Sequence, residues 1–410
     1  MRKRNVALVI TVVAVLLVGA ALTAWAEQET VTVPIGILMP LSGDFASYGA
    51  RGKAVVEKAQ QDIQEFTETA GLPIKFEFYY EDTETKADIA LEKLKTFAAK
   101  GVSVVTGLID SGQTRLIKGY ADANKIVVIT PFSTVANLGM ANDYIFRLIP
   151  HDDMEGIALA KLVYNRGYEH VAMLVRKDPC DMSISTRFQS EYAAAGGDVL
   201  TVVEFAGGTR EFSSEVAALE RAIGPAIDKY GADKVAIVSL TWEDLALIYA
   251  QAEARNSIAL SVTWTGGDAV AHSSVLLKDA GQTALRVSTI SPMYTVPSSP
   301  KKEAVVEFVQ EKLGEEPDIY SLITYDCVWV AALSVLAAGG ADGELIGKAL
   351  PFVAANYYGA SGVTELDAAG DRRALDVDFW AVTTVDGTPT WQKVAEFSAA
   401  TGVVTWLGSK

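Results

Sequence analysis

Metal-ligating and redox-active side chains are scarce in this chain, which holds 3 His and 2 Cys among 410 residues. Two cysteines cannot build a disulfide scaffold or a four-thiolate zinc site, and His151, His170 and His272 have no partner at ligand spacing. No metal and no other cofactor is therefore expected. A Cys180–Cys327 disulfide stays open in an oxidising compartment, but Cys327 falls mid-helix beside Val328 and Trp329, where a buried free thiol is the simpler expectation. Positive charge is also short. With 35 Lys+Arg against 51 Asp+Glu and a formal net charge of −16, nucleic acid and anionic membrane surfaces are disfavoured as partners. Catalytic signatures are missing too: there is no Gly-x-Gly-x-x-Gly, no Gly-x-x-x-x-Gly-Lys, no Gly-x-Ser-x-Gly and no recognisable nucleophile–base pair. An enzyme is not expected.

What is present begins with residues 1–26. Arg2, Lys3 and Arg4 precede an apolar run from Val6 to Ala24, and Ala24-Trp25-Ala26 places small residues where a signal peptidase cuts. This is the layout of a cleavable signal peptide, with an uncleaved anchor as the alternative, since the run is near the minimum length for spanning a bilayer. No cysteine follows it, so a lipoprotein anchor is not expected. The mature chain is expected in the periplasm or outside the cell. Val328–Ala338 is apolar but only of buried-helix length.

From Val31 onward, short β-rich runs alternate with helical patterns. Strands are expected at 32–39, 74–80, 103–108 and 125–130, and helices at 48–66, 86–100 and 112–124. The alternation restarts with a helix at 154–165 and strand 170–176. It continues with helix 183–195, strand 199–205, helix 212–230, strand 234–240, helix 243–255, strand 260–265, helix 270–280 and strand 287–291. Such alternation gives right-handed βαβ units and an α/β fold of two doubly wound parallel-sheet lobes. Three further helices are expected at 301–313, 320–338 and 343–355, and short strands and turns over 359–407. Asp367–Asp371 lacks full calcium-loop spacing and reads as a hairpin turn.

In open α/β sheets, ligands bind at the carboxyl ends of the strands. Those ends carry Leu41–Gly49 with Tyr48, then Gly107–Thr114 with Ser111, then Thr130-Pro131-Phe132-Ser133-Thr134. Ser111 begins a helix, where free N–H groups favour an anion; N-capping is the plainer role for Ser111 and Thr134. In the second set the strand ends carry Asp178–Asp181, Thr241-Trp242-Glu243 and Gly266-Gly267-Asp268. Trp242 is either a stacking wall or an ordinary packed tryptophan, and Asp268 either projects into a cleft or caps a helix near Val270. An anion-binding edge facing a carboxylate is what a zwitterion requires.

These segments resemble the type I periplasmic solute-binding proteins of branched-chain amino-acid ABC transporters, the leucine/isoleucine/valine-binding family. The resemblance covers about Thr32 to Trp380. It rests on Pro40–Gly43 with Tyr48-Gly49, Glu81-Asp82, Gly107…Ser111, Ile129–Thr134, Phe146–Asp152, Ala195-Gly196-Gly197, Gly266–Asp268 and Asp367…Asp371. It implies a venus flytrap of two lobes joined by three crossovers, near Ile149, Ser291 and Tyr357. The N-terminal lobe would span 32–148 plus 292–357, and the C-terminal lobe 149–291 plus 358–410. It further implies that Ser111, Thr134 and backbone groups near Phe132 and Ser133 take a ligand carboxylate, that Asp268 takes an ammonium, and that Tyr48 and Trp242 line the side-chain pocket. Where the family has Tyr-Gly, this chain has Cys180-Asp181, which loses a wall and gains a carboxylate. The expected function is capture of a small amino-acid-like ligand and delivery to an ABC permease. The alternatives are a sensor subunit for a receptor or kinase, a binder of an amide, urea or aromatic acid, and, from another class, a hydrolase using Asp268 or Asp181 as base.

Overall fold

The computed structural model describes residues 30–43 and 45–408, so the signal sequence expected at 1–26 lies outside the described residues. Val31–Met39 (β1) ends in five consecutive buried residues, the near-continuous apolar run of a parallel strand covered on both faces. After it come Ala46–Thr69 (α1), Ile74–Asp82 (β2), Ala87–Ala99 (α2), Val104–Thr106 (β3), Ser111–Asn124 (α3), Val127–Thr130 (β4) and Ile145–Arg147 (β5). The five strands are all parallel in the order β2-β1-β3-β4-β5. One face buries Leu38, Val105 and Val128 under Leu94, Phe97, Ile117 and Ala121 of α2 and α3.

The second set is Asp153–Asn165 (α4), His170–Arg176 (β6), Pro179–Ala194 (α5), Asp198–Phe205 (β7), Ser213–Tyr230 (α6), Val235–Leu240 (β8), Asp244–Ala254 (α7), Thr263–Gly266 (β9), Ser274–Arg286 (α8) and Ile290–Thr295 (β10). Its parallel strands run β7-β6-β8-β9-β10. Counted from each lobe's first strand, both sheets have the order 2-1-3-4-5. Each therefore has its switch point between its first and third strands, where the crevice that holds ligands opens. Pro300–Leu313 (α9), Ile319–Ala338 (α10) and Gly343–Asn356 (α11) then return to the first lobe, where α10 packs on α1, α11, β3 and β4. By length and composition α10 would cross a membrane, but most of it is buried inside the protein, as expected for its apolar C-terminal half.

The C-terminal part departs from the expectation of short strands. After the two-residue strands Tyr358–Gly359 (β11) and Gly362–Val363 (β12), Asp376–Val385 (β13) and Thr388–Ser398 (β14) form a long hairpin that Val403–Trp406 (β15) extends. β13 pairs antiparallel with β10, so the second sheet is mixed rather than wholly parallel. The helix expected at 270–280 starts later, at Ser274, because Ser273 caps it by accepting the Leu276 N–H at 3.1 Å. Both cysteines are free.

Two of the three connections between the lobes are stitched together by buried arginines. Arg147 holds Asp371 in a two-point ion pair, donates to the Ser133 carbonyl at 3.2 Å and donates to the Val135 carbonyl at 2.7 Å. Arg372 donates to the carbonyls of Ser361 and Val363, both at 2.6 Å, and of Leu148 at 3.3 Å. The Asp367–Asp371 turn is the expected tight turn: Gly370 adopts φ +82° and the Asp367 N–H bonds the Asp371 carbonyl at 2.7 Å. It delivers Asp371 to Arg147.

Candidate functional site

The switch points of the two sheets face each other, and the residues at their strand ends meet across the cleft. On the first-lobe side Phe45 ends the loop after β1, Tyr48 lies in the first turn of α1, the turn after β4 carries Phe132, and the start of α10 carries Tyr320. Their rings form one cluster: Phe45–Phe132 at 5.2 Å, Tyr48–Phe132 at 5.5 Å and Phe132–Tyr320 at 5.0 Å between centroids. Edge-to-face and tilted contacts of this kind lock aromatic walls in place. Gly49 is required here because a Cβ would lie 2.0 Å from the Pro40 carbonyl oxygen. From the second lobe Trp242 reaches Phe45 at 5.5 Å, with the Arg176 guanidinium 4.2 Å from its own ring.

Ser111 is not the N-cap of α3. Asp110 fills that role, accepting the Gln113 N–H at 3.0 Å. The Ser111 hydroxyl instead accepts the Thr134 N–H at 3.2 Å and lies 3.4 Å from the Ser133 hydroxyl. Ser111, Phe132, Ser133 and Thr134 are therefore one assembly, and Arg147 braces it from behind through the Ser133 and Val135 carbonyls. Thr134 does not cap a helix either. Its hydroxyl sits 3.7 Å from the Cys180 sulfur across the lobe boundary, and Cys180 donates to Asp152 at 3.4 Å.

The second-lobe floor is acidic. Asp268 opens a single 3-10 turn after Gly267 rather than capping α8, and its carboxylate accepts the Tyr320 hydroxyl at 2.6 Å. The Asp268 N–H donates to Glu155 at 3.0 Å. Asp181 lies in the first turn of α5, which begins at Pro179, earlier than the expected 183. Asp152, Glu155 and Asp181 are each 2–3% exposed. Burial, with mutual repulsion added, pushes all of these carboxyls up: Asp152 to about 7, Asp268 above its ordinary value, and Glu155 and Asp181 well above theirs.

Every residue expected at the site from sequence — Tyr48, Ser111, Phe132, Ser133, Thr134, Cys180, Asp181, Trp242 and Asp268 — lies in or beside this cleft. Sequence reasoning missed Phe45, Asp152, Glu155 and Tyr320. The two acids have the signature of ordinary residues at the start of α4, and Tyr320 lies 52 residues after Asp268 in the chain, with nothing local to connect them. Cys180, where the resemblance implies a lost wall, lies in the seam between the lobes, 3.7 Å from the Thr134 hydroxyl.

A family model described as "Receptor family ligand binding region" matches residues 53–384. An uncharacterised protein of Methanocaldococcus jannaschii is 28% identical over 421 residues, covering 96% of this chain and 98% of that protein. Leu/Ile/Val-binding protein homolog 1 of Brucella abortus is 25% identical over 336 residues, covering 81% of this chain and 85% of its own length. Among solved structures, a leucine-binding protein, LivK, of Thermotoga maritima superposes with a TM-score of 0.73 at 22% identity, covering 90% of this chain and 99% of that one.

Proposed function

Because the chain belongs to the receptor-family ligand-binding-region family and has the type I periplasmic binding fold, we propose that it is an extracytoplasmic solute-binding protein. It captures a small amino-acid-like ligand between its lobes and delivers it to an ABC permease. The observation that carries this reading is the Tyr320–Asp268 hydrogen bond across the cleft. It places an acid from one lobe against the aromatic wall of the other, where a ligand ammonium would be held by both carboxylate and ring faces. The Ser111–Thr134 assembly lies beside it for the other end of the ligand. No covalent step is part of this reading. The lobes act as a clamp: contacts made to both at once exist only when the cleft is shut, so ligand shifts the population toward closure.

Thermal unfolding of ligand-stripped protein against a panel of amino acids, amides and aromatic acids tests the reading, since a ligand that prefers the native state raises its melting temperature. Amine-bearing compounds are expected to give the largest shifts, and Asp268→Asn to abolish them while leaving the melting temperature without ligand near that of the wild type. Stabilisation by aromatic acids alone, indifferent to Asp268→Asn, would overturn it.

A further inference from the structure

Tyr320 reaches Asp268 from the second residue of α10, so the seating of that helix end decides whether the hydroxyl arrives 2.6 Å from the acid. The helix start is fixed by its N-cap, Asp318, which accepts the Ser321 N–H at 2.9 Å and the Ser321 hydroxyl at 3.0 Å. The same carboxylate accepts the Arg51 Nε–H at 2.6 Å. Arg51 lies on α1 one turn after Tyr48, and its guanidinium is 5.0 Å from the centre of the Tyr48 ring. One cation thus touches the first tyrosine directly and the helix of the second through its cap. The two rings themselves meet edge to face at 6.2 Å between centroids.

Two details separate this contact from an ordinary surface ion pair, which water screens to little effect. The side chains of Arg51 and Asp318 are only 17% and 22% exposed, and a planar guanidinium can lie against a ring while its Nε–H points at a carboxylate. Glu315, 54% exposed and 3.6 Å from Arg51, adds little. Nor does Arg51 alone hold α10 to α1. The two helices share the main apolar core, and farther along them the Tyr325 hydroxyl donates to Asp62 at 2.7 Å. What Arg51 reaches is the first turn of α10, the end that meets the other lobe. Helix ends open most readily, because their outermost backbone groups have no partner inside the helix.

We propose that Arg51 is a positioning residue for the ligand cleft: through Asp318 it seats Tyr320 for its bond to Asp268, and through its own contact it holds Tyr48 against Tyr320. The consequence for binding rests on the reading of the cleft as a site for amine-bearing solutes and deepens it. Arg51 acts through the two tyrosines, so its effect is on how far the acid and the aromatic wall are arranged before a ligand arrives.

Hydrogen exchange of ligand-free protein tests the positioning directly. The amides of Val270 and Ala271, bonded to the Gly267 and Asp268 carbonyls in the opposite lobe, report on the loop that carries Asp268. In Arg51→Met they are expected to exchange roughly tenfold faster, the scale of one charge-assisted bond. Tyr320→Phe should do the same, and Arg51→Met should add little in that background, because the route through the hydroxyl is already cut. Should Arg51→Met fail to fold, Asp318→Asn keeps a capping side chain but loses the ion pair and carries the same expectation. Unchanged exchange at Val270 and Ala271, equal acceleration with and without the Tyr320 hydroxyl, or acceleration spread over the whole first lobe would overturn the proposal. Calorimetric titration with L-leucine reads the functional half: Arg51→Met is expected to weaken binding, and to do so far less in the Tyr320→Phe background. Equal losses in both backgrounds would overturn the role in binding. Failure of leucine to bind the wild type would count against the amine-binding reading and leave the exchange rates to decide the positioning.

Discussion

At Asp268 the consequences of one hydroxyl can be isolated. Tyr320 donates to its carboxylate, and that bond favours the ionised form against a burial cost that acts the other way. Tyr320→Phe removes the donor and leaves the ring in the aromatic cluster. The expected outcome is a loss of affinity for amine-bearing ligands that is larger at pH 6 than at pH 8, because the variant's Asp268 must shed a more tightly held proton before it can pair. Titrations at the two pH values check this, and an equal loss at both would assign Tyr320 a packing role only. Asp268 itself was legible in the sequence, since two glycines at a strand end project whatever follows them. Tyr320 was not, because the helix that carries it reads as an apolar core element and its first-turn position gains meaning only when the lobes meet.

At the scale of elements, most of the chain was readable because each strand and helix carries its own period. β6 and α10 fall within a residue of the expected limits. Errors concentrate where a cap or a tertiary partner decides the boundary. Pro179 and the Asp178 cap pull the start of α5 forward, and Ser273 delays α8. The three-residue strand Ile145–Arg147 is too short to show alternation and exists because it completes the first sheet beside β4. The cap of α3 has a measurable role. Asp110→Ala removes the acceptor for the Gln113 N–H and is expected to cost about 1 kcal/mol of stability, read as a lower urea midpoint with an unchanged slope. If stability is unaffected, the N-terminus of α3 is held by other contacts.

The whole molecule carries a pH dependence set by acids of the second lobe that border the cleft. In this structure Asp152, Glu155, Asp181 and Asp268 are buried and each ionises at a raised pH, with Asp152 reaching about 7. In an opened cleft, bathed in water, the same groups titrate nearer the ordinary carboxyl value of about 4. Between these values the closed form binds more protons, so its advantage over the open form is retained at low pH and lost as pH rises through about 7. Ligand-free protein is therefore expected to show a larger radius of gyration by small-angle scattering at pH 8 than at pH 5, and Asp152→Asn to reduce the difference. A radius that does not change with pH would show that the acids do not influence closure. Nothing in the sequence announced this, because acids from α4, α5 and the turn after β9 become neighbours only in the assembled lobe.

The path of the chain also sets when each lobe can finish during synthesis. The strands of the first sheet are all made by Arg147, yet α10, which packs on β3 and β4, does not exist until residues 319–338 have been added. The second sheet likewise waits for β13 and β14, near the end of the chain. An emerging nascent chain therefore carries an apolar sheet face uncovered through most of translation, and neither lobe is a contiguous stretch that a truncation could release intact. The stitched crossovers tie the completion of one lobe to that of the other, late in the chain.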